Sequence, residues 1–377
     1  MSKTPSDEDV FTHLSYRPEC LQKYMITINK PAKPSTLIHR PDPSSLGLLN
    51  PLPLEVLHIA LHTLDFQSLS RLSRVSRRGR AVVETLPIYR DLMKYIPDTL
   101  KALGQSQLLS HFPADKLLTI LCSKACVACG NFGAFLFLPS GERCCEMCLD
   151  NNQSLWVISL LRAETIYGLP LPELKKLPIL KSIPGSYKVR RVEGPRPKLV
   201  SVLAAARLAT IKGTMPMLAT DLVTPDMHEW KRAQPWTKAG LEARLRRYME
   251  ACAELTTTHP RWLLPSAYFS RGPDEFGGMA SIEFPYLLPD KTLEYGVVCK
   301  GCEWVFSRFI ANDLPDHVRD YLGLWGNWRQ VVPAFRERCS RVMLKSELLT
   351  HVKRCYGAKK LLDTLDIGVW DQSLVYP

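Results

Sequence analysis

The feature that most constrains this chain is the run CVACGNFGAFLFLPSGERCCEMC, from Cys126 to Cys148. Two Cys-x2-Cys pairs, Cys126/Cys129 and Cys145/Cys148, stand fifteen residues apart, a spacing within the range of four-thiolate zinc sites. Two residues between thiols let one tight turn aim both sulfurs at a tetrahedral ion, and Gly130 supplies the permissive backbone such a turn needs. Between the pairs, FLFLPSGER reads as a strand, a turn at Pro139, Ser140 and Gly141, and a return strand, so a hairpin would bring the pairs together. Cys122 and Cys144 are spare and either can replace a nominated ligand. Cys145 is preferred because it gives the second pair the two-residue spacing of the first. A redox role for Cys126-x2-Cys129 is disfavoured by the second pair and by the lack of a surrounding strand-helix-strand pattern.

A further pair, Cys299-x2-Cys302 in VVCKGCEW, has no Cys pair immediately after it. Its expected partners are His351 and Cys355 in SELLTHVKRC, which at i and i+4 would share one helical face. Cys339 competes with them. Four thiolates, or three with an imidazole, saturate zinc and leave no open position for water or substrate, so both clusters read as structural, with two zinc ions in all. Structural zinc contributes on the order of 10 kcal/mol to the folding of zinc-finger peptides, enough to organise a hairpin with little core of its own. His58, His62, His228 and His317 are assigned no role.

With 377 residues, the chain is long enough for two or three units. MSKTPSDEDV lacks the apolar stretch of a signal peptide, and no apolar run reaches the roughly 18 residues that cross a bilayer. A soluble protein of the cytoplasm or nucleus is expected. Its twelve cysteines should then be reduced, which again favours metal ligation over disulfides. Lys and Arg number 49 against 37 Asp and Glu, a net charge of +12 that suits an acidic partner.

The expected organisation runs as follows: a flexible Pro- and Ser-rich leader over 1–47, a three-helix box over 48–100, a first zinc module over 114–155, a basic helical and loop region over 156–298, a second zinc module over 299–362 and a tail over 363–377. In the box, Leu54, Leu57, Leu61 and Leu64 recur at steps of three and four, the mark of one buried helical face. Pro53 sits where a first turn tolerates it. Asp65 can cap a second helix bearing Leu69, Leu72 and Val75, with Arg71, Arg74, Arg77 and Arg78 largely on the other side. A third helix passes through Val82, Val83 and Leu86. The fold class is α+β: a helical box, then a mostly helical region carrying the zinc-knuckle β-hairpin and the second Cys/His site.

The stretch LPLEVLHIALHTLDFQSLSRLSRVSRRGRAVVETLPIYRDLM resembles an F-box, with its Leu-Pro start, Leu-Asp junction and Val-x-Arg-Arg segment. Gly79 and Tyr89 stand where many F-boxes have Trp. The resemblance implies docking on the Skp adaptor of SCF ubiquitin ligases through Leu52, Pro53, Leu57, Leu61, Leu64, Leu69 and Val75. The succession of this box, the CVACG knuckle, FPYLLPD, EYGVVCKGC and LLTHVKRC is similar to a group of fungal F-box proteins over Leu48 to Leu362. That likeness implies an adaptor-binding box and a zinc-stabilised C-terminal region that recruits a protein target, and names no target.

Between the clusters, helices are expected at Leu199–Ile211 and Lys238–Leu255. Ser186 to Glu250 carries 13 Lys and Arg against 6 Asp and Glu, so a zinc-containing nucleic-acid-binding protein using this basic stretch is the alternative. No phosphate loop, His-Glu-x2-His helix or Gly-x-Ser-x-Gly elbow is present, and the chain is not expected to be an enzyme.

Overall fold

The computed structural model describes residues 6–18, 25–28, 44–187, 191–193, 196–214, 275–326 and 328–364. The chain divides into two compact units, one built from Met1–Leu21 with Glu294–Pro377 and the other from Gln22–Leu293. The Lys238–Leu255 helix and most of the basic Ser186–Glu250 stretch lie outside the described residues.

The larger unit begins with a series of short helices. Leu54–His62 follows Pro53; Phe66–Val75 is capped by Asp65, whose carboxylate accepts the Ser68 N–H at 2.9 Å; Arg77–Thr85 is capped by Ser76, which accepts the Gly79 N–H at 3.0 Å. These caps satisfy amide donors that a helix start otherwise leaves free. Pro87 and Pro97 then open the helices Pro87–Tyr95 and Pro97–Gln105, since a first-turn proline has no N–H to lose. Leu57, Leu61, Phe66, Leu69, Val82, Val83 and Leu86 are buried. Gly79 lies against the preceding helix: a Cβ there would sit 2.6 Å from the Leu72 carbonyl oxygen. No Trp fits at that position. Tyr89 stacks on Phe66 with ring centroids 4.8 Å apart. The Ala114–Leu121 helix is tied to this series by the Ala114 N–H, which donates to the Leu64 carbonyl at 3.1 Å.

Phe135–Phe137 pairs antiparallel with Glu142–Cys144 on one side and with Ser281–Glu283 on the other, giving a three-stranded sheet. A second sheet places Lys198–Ser201 between Val157–Ser159 and Ile179–Lys181, all antiparallel. Helix Leu160–Tyr167 and helix Val202–Lys212 cover it, around a core that includes Trp156, Tyr167, Val200 and Ala206. The expected Leu199–Ile211 helix is corrected here. Leu199 and Val200 belong to the strand, and the helix starts only after Ser201, whose hydroxyl accepts the Ala204 N–H. Leu199 and Val200 are both buried and pair with a strand on each side, and the serine that follows them caps the helix, which favours that division.

The leader is also corrected. Asp7–Leu14 is a helix with a capping box, in which Ser6 and Asp9 exchange side-chain to backbone hydrogen bonds, and Val10 and Leu14 are fully buried. Ser15–Tyr16 pairs with Val298–Cys299. In the larger unit, Ile26 donates to the Ser281 carbonyl, and Met25 and Ile26 are buried. Apolar residues at i and i+4 behind a cap outweigh the polar composition around them.

In the smaller unit, helix Lys300–Ile310 crosses helix Tyr356–Thr364 at Gly301 and Gly357, each lying against the other's backbone so closely that neither has room for a Cβ. Helices Asp316–Leu322, Trp328–Cys339 and Lys345–Val352 complete this unit.

Candidate functional site

Cys126 and Cys129 lie on a turn closed by the Gly130 N–H donating to the Cys126 carbonyl at 2.9 Å. Gly130 has φ +75, which a glycine adopts without the Cβ penalty. Cys145 is the N-cap of the Glu146–Asn151 helix, and Cys148 is in its first turn. The Val127 N–H donates to the Arg143 carbonyl at 2.9 Å, which joins the two turns directly. The four Sγ atoms of Cys126, Cys129, Cys145 and Cys148 all lie within 4.8 Å of one another, and Cys129 and Cys145 are 3.6 Å apart. The spare cysteines stay outside this group: Cys122 is exposed beyond a helix end, and Cys144 is fully buried with its thiol on the Phe135 carbonyl.

The second group assembles Cys299, Cys302, His351 and Cys355, with ligand atoms again within 4.8 Å. Cys302 Sγ is 3.1 Å from His351 Nε2 and 3.8 Å from Cys355 Sγ, and Cys299 Sγ is 4.0 Å from Cys355 Sγ. Cys339 is not a member. His351 and Cys355 do not share one helix as expected: Lys345–Val352 ends before Cys355, whose carbonyl accepts the Lys359 N–H at the start of the next helix. The chain bends between them and both still face Cys302.

These distances test the fit to a metal. Zn–S bonds of ~2.3 Å at a tetrahedral angle separate sulfurs by about 3.8 Å, which the sulfur pairs at 3.6, 3.8 and 4.0 Å match. A disulfide needs about 2.05 Å, and the described cysteines are free. The electrostatics agree. In each group one thiol, Cys126 or Cys299, is held well below its ordinary range by hydrogen bonds from neighbouring thiols. Cys145 and Cys148, like Cys302 and Cys355, are pushed up because they hydrogen-bond to that first thiolate. A dication among these ligands would let the sulfurs ionise together. Both groups can therefore hold a metal ion.

Arg143, which the sequence did not single out, braces the first group. Its guanidinium donates to the carbonyls of Gly133 at 2.6 Å, Phe284 at 3.0 Å and Ile120 at 3.3 Å, and to that of Pro285. It also lies over the Phe284 ring, 4.7 Å from its centroid. Burial pushes its pKa down to about 10, so it stays charged at neutral pH.

The residues expected at the adaptor interface divide. Leu57, Leu61 and Leu69 are in the box's own core, Leu64 is half-buried, and Leu52, Pro53 and Val75 are exposed. The apolar side chains that face water are Leu48 at 98%, Ile59 at 74% and Val75 at 77% exposure, with Leu49, Leu52, Leu54 and Val56 less so. Arg71, Arg74, Arg77 and Arg78 accompany them on the surface. These are large apolar residues exposed within one short stretch of the chain.

A family model described as an F-box domain matches residues 49–91. No curated protein and no solved structure matches the chain. Among the described residues no helix is long and apolar enough to cross a membrane.

Proposed function

We propose that the chain is a non-catalytic substrate-recognition adaptor of an SCF ubiquitin ligase, with the F-box on a Skp-family subunit and the remainder recruiting a protein target. The observation that carries this reading is the F-box match over 49–91, coupled to an apolar row outside a box that has already closed its own core. Leu52, Leu54, Val56, Ile59 and Val75 are then the contact side chains, and Leu57, Leu61 and Leu69 hold the shape that presents them. A few desolvated anchors dominate such interfaces. Zinc, one ion in each Cys/His group, keeps the knuckle hairpin and the closing helices in place. Three or four thiolates in a tetrahedral set favour zinc over the oxygen-seeking cations.

Co-expression with a Skp-family adaptor, followed by size exclusion and metal analysis of the peak, tests this. The expected result is a stoichiometric complex carrying two zinc ions per chain. Ile59→Asp should remove the complex without unfolding the box. A folded, zinc-loaded chain that elutes free of the adaptor would overturn the reading.

A further inference from the structure

A solvent-open cavity of about 470 Å³ lies in the smaller unit beside the second Cys/His group. Arg341 and Arg354 line it, both exposed, and among the described residues neither guanidinium pairs with a carboxylate. Ser346 and Thr350 add hydroxyls; that of Thr350 donates to the Ser346 carbonyl at 3.0 Å and keeps its lone pairs for a further donor. Glu347 also lines the cavity, but its carboxylate accepts the Leu344 N–H at 3.2 Å and so serves its own helix. His351 contributes its ring to the wall while its Nε2 faces Cys302. The surrounding sequence is strongly cationic, with eight Lys and Arg and two Glu from Arg336 to Lys360.

We propose that this cavity is a docking site for an acidic peptide segment, with Arg341 and Arg354 as its anion receptors and His351 as the wall it shares with the second metal centre. Two guanidiniums offer planar, multiple donors to carboxylates, which hold a charge in a given orientation better than ammonium groups do. The Ser346 and Thr350 hydroxyls add acceptors for peptide N–H groups, so the lining complements a peptide's backbone as well as its charge. A volume of this size accommodates a few side chains. Nucleic acid fits less well, because no Phe, Tyr or Trp lines the cavity to stack a base. The proposal deepens the adaptor reading by naming the chemistry of the recruited segment, and rests on that reading for its use in the cell.

The test is fluorescence anisotropy with the full chain in its adaptor complex, at the physiological salt of about 150 mM, using a fluorescein-labelled hexaglutamate peptide, a hexalysine peptide and a single-stranded DNA oligonucleotide as probes. Hexaglutamate should bind and hexalysine should not. Arg341→Gln with Arg354→Gln should weaken hexaglutamate roughly tenfold or more, the loss expected when charge-assisted hydrogen bonds go. Arg336→Gln with Lys360→Gln removes the same charge away from the cavity and should leave binding within about twofold, as expected of largely screened surface charges. Equal losses from the two double variants would overturn the proposal, as would tighter binding of the oligonucleotide through the same two arginines. An intact adaptor complex that does not bind hexaglutamate defeats this proposal alone. Peptide binding by a chain that never joins the adaptor defeats the adaptor reading alone.

Discussion

Replacing Gly357 by Ala probes how the second Cys/His group is built and whether it holds a metal. A methyl there would lie 2.6 Å from Val305 Cγ2 and 2.7 Å from the Gly301 carbonyl carbon, and closer still to that carbonyl's oxygen. Carbon atoms pack favourably near 3.5–4.0 Å, so helices Lys300–Ile310 and Tyr356–Thr364 must part by roughly 1 Å. Cys302 adjoins Gly301 and Cys355 lies two residues before Gly357, so the same movement separates sulfurs that now stand 3.8 Å apart. Metal–ligand distances tolerate only about 0.2 Å of error. Without metal the helices can separate and relieve the clash; with metal they cannot, and the strain appears as lost affinity. Overpacking of this kind costs about 1–3 kcal/mol, which is roughly a 5- to 150-fold weaker site. Structural zinc is bound with about 10–16 kcal/mol, so the ion stays bound but is surrendered to a weaker chelator. Competition with a chromophoric zinc chelator should show two like sites in the parent chain and one markedly weakened site in the variant. Two sites of unchanged affinity would refute the coupling of the glycine crossing to the metal centre.

Gly104→Ala supplies the contrast, because a Cβ there meets nothing nearer than Leu109 Cδ2 at 3.9 Å; urea unfolding should show about 0.5–1 kcal/mol of stabilisation from the better helix former. Arg143→Met strands buried carbonyls of Gly133, Phe284 and Pro285 and should cost several kcal/mol at roughly 1–3 for each unsatisfied group. Arg143→Lys should fail to restore stability in the same urea titration, since one ammonium cannot reach all the carbonyls the guanidinium spans. Leu69→Ala should destabilise the larger unit by about 2–5 kcal/mol, whereas Val75→Ala should change its melting within about 0.5 kcal/mol and reduce adaptor affinity instead. Chelation of the first metal should speed hydrogen exchange at Phe135–Phe137 before it affects the sheet around Val200.

The four-ligand groups were legible because each thiol pair announces itself locally. Spacing also selected Cys145 over Cys144: adjacent residues near a strand end point to opposite sides, so only one can face the knuckle while the other enters the core. The i, i+4 relation of His351 and Cys355 pointed to residues that the structure does bring beside Cys302, but through a wrong premise, since the helix stops between them. Helical periodicity in the box located its apolar face but could not say which of those leucines close the core and which await a partner; Leu57 and Ile59 look alike in sequence and differ in burial. In the leader, Ser6-x2-Asp9 ahead of Val10 and Leu14 was a usable signal hidden by the proline-rich residues that follow. The pairing of Phe135–Phe137 with Ser281–Glu283 had no such signal, because three-residue strands carry too little pattern to name a partner far along the chain.

Three of the nominated ligands occupy one kind of position. Cys145 and Cys299 are N-cap residues, and Cys355 immediately precedes a helix whose first bond its carbonyl accepts. A helix start presents unpaired N–H groups and the positive end of the peptide dipoles, which favour a thiolate over a thiol. Serine or aspartate is the usual occupant of such a site, so cysteine there gives up some capping strength. The loss is recovered when a metal binds, because the same helix start then stabilises a ligand that must be ionised. In the second group this has a long-range consequence. Cys302 and His351 are separated by 48 residues, and closing a loop that long is entropically unfavourable before its contacts form. A metal that joins both helix starts removes that cost from the folding of the intervening helices. On the proposal that this group holds a metal, the Gly301–Gly357 crossing, which needs the two helices in backbone contact, would be a result of metal binding as much as a precondition for it.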